Sequence, residues 1–224
     1  METAKRASLS ANTDAIHLSR KIGFGMAVTS TVFGILYLAG LVGNFATTGS
    51  FYPVAAPIQL LSASIALLWD QVLVVLFIAL RWQAPENKKI LAEIALVFMI
   101  LVCAMSSISW FVRLAIVPKV AQAGDLTLLS LLDPYNSSSI TYATEHLGWG
   151  LFYGLATLFA AFAIDSGRFK FWLRWLLAAG AILSVSHVLG VIVSSPVLIF
   201  LGFPAWGVLL PATTALLAVR FRGN

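Results

Sequence analysis

Six long apolar runs divide this chain, at residues 22–43, 57–80, 90–112, 144–164, 171–193 and 196–219. Each is long enough to cross a bilayer as a helix, which takes about 20 mostly apolar residues. The prolines at positions 57 and 196 fall in first turns, where a missing N–H costs least. The pattern predicts an all-α integral membrane protein, a six-transmembrane-helix bundle forming one domain over 22–219. Residues 1–21 and 220–224 are predicted to be short polar tails. The run at 22–43 is too long for a signal-peptide core and lacks an Ala-x-Ala exit, so it reads as a retained first helix.

The connections alternate in character. Residues 44–56 are uncharged and rich in Gly, Ser, Thr and aromatics, whereas 81–89 read RWQAPENKK and 165–170 read DSGRFK. The longest connection, 113–143, is mixed, and its portion from Lys119 to Tyr135 is expected to form a short interfacial helix capping the bundle. One set of ends carries Lys5, Arg6, Arg20, Lys21, Arg81, Lys88, Lys89, Arg168, Lys170, Arg174, Arg220 and Arg222, and the other only Arg113 and Lys119. Basic residues stay on the cytoplasmic side, so both termini are expected there. Trp82, Trp172, Trp175, Tyr52, Tyr142 and Trp149 fall near predicted ends, where amphipathic rings settle. Trp69 and Trp110 lie deeper and need packing partners.

Composition agrees with this reading. The chain is 60% hydrophobic and 10% charged, against roughly 45–50% and about 25% in soluble domains. The net charge of +5 does not indicate nucleic acid, because the basic residues sit at the ends of apolar runs and contact headgroups there. The expected partner is the lipid bilayer of a cell membrane, of the bacterial inner-membrane kind. A single cysteine, Cys103, excludes an internal disulfide and a membrane dithiol oxidase.

Ionisable groups deep in lipid are costly, roughly 2.5–3.5 kcal/mol on insertion scales, so each is informative. Asp70 stands 11 residues before Arg81, or about 16 Å along a helix. Gln59, Ser62, Ala63, Ala66 and Asp70 form a small, polar stripe that should face the bundle. His187 stands 13 residues after Arg174, about 20 Å deep, on a face with Gly180, Ser184 and Gly190. Asp70 and His187 are thus expected at similar depth, in a direct or water-bridged pair serving a ligand or proton site. The alternatives are a protonated Asp bonded to a neighbouring helix and a neutral core His.

At the opposite level from the basic loops, Trp110, Arg113, Glu145, His146 and Trp149 converge, with Arg113 and Glu145 a candidate ion pair. They form either the mouth of an outward-opening pocket or an ordinary interfacial belt. Gly150 and Gly154, with Gly180 and Ser184, suit close helix packing within one chain or in a homo-oligomer. Glu93 is placed to snorkel or to pair with Lys89. Asn136-Ser137-Ser138 matches an acceptor sequon that chance often produces.

Several chemistries are disfavoured. No helix carries a lysine for a Schiff base. His146 is expected about 10 Å shallower than His187, counting helical rise, which argues against a bis-His haem. No cofactor or metal is called for. No zinc-protease, nucleophile-elbow or P-loop motif is present. The first expectation is binding or passage of a small molecule or lipid through an outward-opening cavity, with Asp70 and His187 as floor. A membrane enzyme acting on a lipid or isoprenoid is the second, and a non-catalytic accessory protein the third.

Overall fold

The computed structural model describes residues 2–50, 56–167 and 169–223. Tyr52 and Arg168 lie outside them, as do the side chains of Lys5 and Arg6. Seven helical runs make up the fold among the described residues. They are α1 (Glu2–Thr48), α2 (Ala56–Gln83), α3 (Glu86–Ala123), α4 (Leu126–Leu132), α5 (Ile140–Ala163), α6 (Lys170–Ile192) and α7 (Pro196–Arg222). All except α4 are long and apolar enough to cross a membrane, so the chain has the form of a multi-pass helical membrane protein.

The six long helices pack in chain order as a closed ring. α1 lies on α2, α2 on α3, α3 on α5, α5 on α6 and α6 on α7, and α7 returns to α1. The two directions of apolar packing differ in kind. Leu73, Leu76, Met99, Val102, Leu173 and Leu217 are buried inside, together with Ser30, Asn44, Asp70, Ser106, Thr157, Ser184 and His187. Leu60, Leu61, Val97, Ile182, Leu189 and Val208 point outward. Polarity turned inward beneath an apolar surface is what a lipid surround demands.

Two boundaries differ most from the expected ones. α1 extends back through the polar residues before Ile22. α3 runs on to Ala123, well past the predicted end at 112, because Val112–Ile116 is π-helical and Pro118 falls in the first turn after it. A proline is tolerated at that position. The run stops at Gly124, whose φ of +73° supplies a left-handed end. Asp125 then accepts from the Leu128 amide at 2.9 Å and caps α4, a short helix within the stretch from Lys119 to Tyr135, whose first residues belong to α3. Ser139 caps α5 by accepting from the Tyr142 amide at 2.9 Å.

Charge at the basic end is organised locally. Arg81 donates to Glu93 through Nη2 at 2.6 Å and Nε at 3.1 Å, bridging α2 and α3. This replaces the Glu93–Lys89 pair expected from helical spacing, and Lys89 pairs with Glu86 instead. In the turn before α6, Lys170 donates to Asp165 at 2.8 Å. That hydrogen bond and the ammonium charge hold the Asp165 carboxyl below its ordinary range. Next to this turn, Phe171, Trp172 and Trp175 are exposed, as rings at a membrane interface are.

Candidate functional site

At the end of the ring opposite the basic loops, the helices open around a cavity of about 480 Å³. Three π-helical stretches surround it: Val112–Ile116 in α3, Leu147–Phe152 in α5 and Pro204–Leu209 in α7. Each contributes wall residues, namely Arg113, Trp149, and Trp206 with Gly207. An extra residue per turn rotates the following side chains off their α-helical register, and such stretches recur at functional sites.

The walls are mainly aromatic. Ring centroids follow one another from Tyr37 to Trp69 (6.4 Å), Trp69 to Trp149 (6.4 Å) and Trp149 to Trp206 (6.0 Å). The indole N–H groups are anchored behind the surface they present. Trp69 donates to Ser30 at 2.7 Å, while Trp110 and Trp149 both donate to Ser106, each at 2.9 Å. Trp206 donates to the Trp149 carbonyl at 2.9 Å and to Ser184 at 3.0 Å. With their N–H groups committed, the indoles offer the cavity apolar faces.

Gln59 and Ser62 of α2 line the cavity, and its charged groups belong to α3 and α5. Arg113 and Glu145 form an ion pair between α3 and α5, the pair expected from sequence. The guanidinium carbon also lies 4.2 Å from the Trp110 ring centroid, and Ser109 donates to Glu145 at 3.4 Å. His146 lies beside this pair, one residue after Glu145, with Tyr142 edge-on at 3.8 Å between centroids. His187 is fully buried behind it. His187 Nε2 meets His146 Nδ1 at 2.6 Å, and its Nδ1 meets the Ile199 carbonyl at 2.5 Å.

All five residues expected at the mouth, Trp110, Arg113, Glu145, His146 and Trp149, line this cavity. The expected floor needs correction. Neither Asp70 nor His187 lines the cavity, and they do not form a pair, because both ring nitrogens of His187 are engaged elsewhere. The expected 10 Å offset between the two histidines is overturned as well. Counting rise from helix ends failed because α5 begins at Ile140, four residues before the expected start, and turns π-helical directly after His146. Asp70 is 1% exposed, and neither carboxyl oxygen has a hydrogen-bond partner among the described residues. The Ser106 hydroxyl stands beside it outside hydrogen-bonding geometry.

The small residues act within the chain. A Cβ on Gly150 would lie 2.8 Å from Val188, and one on Gly154 would lie 2.8 Å from Val185, so both glycines seat α5 on α6 near Ser184. Gly180, expected with them, makes no such close approach. Two glycines that sequence reasoning left out of the site, or did not name at all, matter more here. Gly190 lets α7 approach α6 at Leu198 and Ile199, and Gly202 lies directly against the His187 ring. Trp206 was also missed; its position one residue after Ala205 in a Pro-rich apolar run gives no hint of the π-helical turn that aims it inward. Among the described residues no His, Cys, Asp and Glu group has a metal-binding arrangement.

Comparison with protein-family models, with curated proteins and with solved structures finds no match.

Proposed function

We propose that this protein binds a small amphipathic molecule or lipid in the aromatic cavity, reached from the non-cytoplasmic side of a cell membrane. The lysine and arginine asymmetry supports a cytoplasmic basic end, and with it cytoplasmic termini. The observation that carries the binding reading is a hollow of about 480 Å³ walled by four tryptophans, with a few polar groups among them. Small-molecule sites have volumes of about 300–1,000 Å³ and this same division between apolar wall and few polar anchors. The polar lining sums to little net charge, since Arg113 and Glu145 offset one another. It therefore suits a neutral or zwitterionic head with an apolar body. Binding rather than free passage is favoured, because Trp69 and Trp149 of the wall belong to the same packed core as Leu73, Leu76 and Val102.

Native mass spectrometry of the protein extracted in mild detergent tests this reading. The wild type should carry a bound species that Ala66→Phe, which fills the hollow from α2, excludes. Equal retention by both proteins would overturn it.

The enzyme reading is favoured by one observation, the hydrogen-bonded His146–His187 pair at the wall, since a positioned histidine can move protons. Lipid extracts from cells expressing wild type or His146→Ala distinguish it: a catalyst leaves a product species that depends on His146, whereas a binding protein does not.

A further inference from the structure

The two histidines define a hydrogen-bond direction. The Ile199 carbonyl can only accept, so His187 Nδ1, 2.5 Å away, is the donor. A charged His187 would hold protons on both nitrogens. Its surroundings are Ser184, Ile199, Gly202, Trp206 and His146, with no carboxylate, while Glu145 is committed to Arg113. An unpaired charge buried in that setting is heavily penalised. His187 is therefore neutral, its Nε2 bears the lone pair, and that nitrogen accepts from His146 Nδ1–H at 2.6 Å. His146, beside the Arg113 cation and with Glu145 committed to that cation, is neutral for the same reason and is left with a lone pair at Nε2. Among the described residues nothing bonds that nitrogen, and its ring lines the cavity.

Of the groups nearest His146, Glu145 accepts from Arg113 and Ser109, and the indole N–H groups are directed away from the hollow. Gln59 and Ser62 on α2 and Tyr142 also line it, but as groups that can donate as well as accept they do not by themselves favour a hydroxyl donor over its methyl ether as a bare imidazole nitrogen does. Resting on the binding reading above, we infer that the cavity selects a ligand bearing a hydroxyl donor, an alcohol or phenol on an apolar body, whose O–H is received by His146 Nε2. His187 is the positioning residue. It fixes the His146 tautomer through the chain His146 Nδ1–H to His187 Nε2, and His187 Nδ1–H to the Ile199 carbonyl. Gly202, against which a Cβ would meet His187 Nδ1 at 2.5 Å, keeps the ring in place.

The experiment uses a matched pair of probes, 4-nonylphenol and its methyl ether, titrated into the protein in nanodiscs. Binding is read from tryptophan fluorescence, with Ala66→Phe as the control for partition into lipid. The phenol should bind wild type about tenfold more tightly than the ether, the order expected of one well-made hydrogen bond. His146→Phe should abolish the preference between the two probes. His187→Leu should reduce it, and His187→Gln should restore much of it, since Gln can accept from His146 and donate to Ile199. Equal binding of the two probes by wild type, or a preference that survives His146→Phe, would overturn the inference and leave the binding reading standing. Failure of both probes to bind more than the Ala66→Phe control would overturn both.

Discussion

His146 and His187, 41 residues apart in sequence and on different helices, share a hydrogen bond of 2.6 Å at the wall of the cavity. The contact depends on a close approach from a third element. Gly202 of α7 abuts His187, and a Cβ there would lie 2.5 Å from Nδ1, 2.7 Å from Cγ and 2.9 Å from the Trp206 ring. None of these atoms is the free end of a flexible chain. Gly202→Ala should therefore displace the ring and break the bond to Ile199, at a cost of about 1–3 kcal/mol as in other overpacked sites. Thermal unfolding in detergent measures this. An unchanged apparent Tm would mean that the His187 ring is not held in the way described.

The Arg113–Glu145 pair makes a second prediction. Its side chains are 7% and 20% exposed, so the charges are largely removed from water. A buried pair often contributes little net stability, but removing one partner strands the other at a cost of about 3–5 kcal/mol. Glu145→Met or Arg113→Met alone should thus lower the melting temperature sharply, and the two combined should recover most of the loss. A double-mutant cycle checks it, with additive single effects the contrary result.

How much of this arrangement was legible beforehand depends on what sets each feature. The spans were, because apolar run length against bilayer thickness decides them. The ion pair was too, since Arg113 and Glu145 sit at matching ends of adjacent helices. The His146–His187 contact was not, because helical rise assumes straight α-helix, and π-helical turns at Leu147–Phe152 and Pro204–Leu209 re-aim the side chains around them. Glu93 shows a related failure. Spacing within one helix favoured Lys89, but Arg81 on α2 offered two donors across the hairpin.

Asp70 carries a third prediction. A buried carboxyl group with no hydrogen-bond partner among the described residues costs stability. Asp70→Leu should therefore raise stability by about 1–3 kcal/mol. Natural chains keep such costs where function needs them. Thermal unfolding together with probe binding separates the two effects: stabilisation with lost or pH-insensitive binding marks a functional group. Destabilisation would show that Asp70 has a structural partner.

The Asp165–Lys170 bond predicts a small pH effect. The folded state holds the Asp165 carboxyl below its ordinary range, chiefly through the Lys170 hydrogen bond and charge. A depressed carboxyl stabilises the fold above its unfolded pKa and loses that contribution as pH falls through its folded pKa. The margin of wild type over Asp165→Asn should be full near neutrality and vanish in acid below the carboxylate range. Because the pair is exposed and screened, that margin should shrink in high salt. Melting curves of the two proteins across pH and salt test both trends.

Orientation is open to direct chemistry. Ser137 is exposed in the connection before α5, and Asn87 is exposed in the hairpin between α2 and α3. With Cys103→Ser as background, Ser137→Cys should react with an impermeant maleimide in intact cells. Asn87→Cys should react only after permeabilisation, because the hairpin carries Lys88 and Lys89 and basic loops remain inside. The same labelling locates the cavity, since Pro134 and Tyr135 lie on its rim a few residues before Ser137. The reverse pattern would turn the aromatic hollow toward the cytoplasm. Its ligand would then have to be an intracellular amphiphile, and the hydroxyl selectivity of His146 would act on that pool instead.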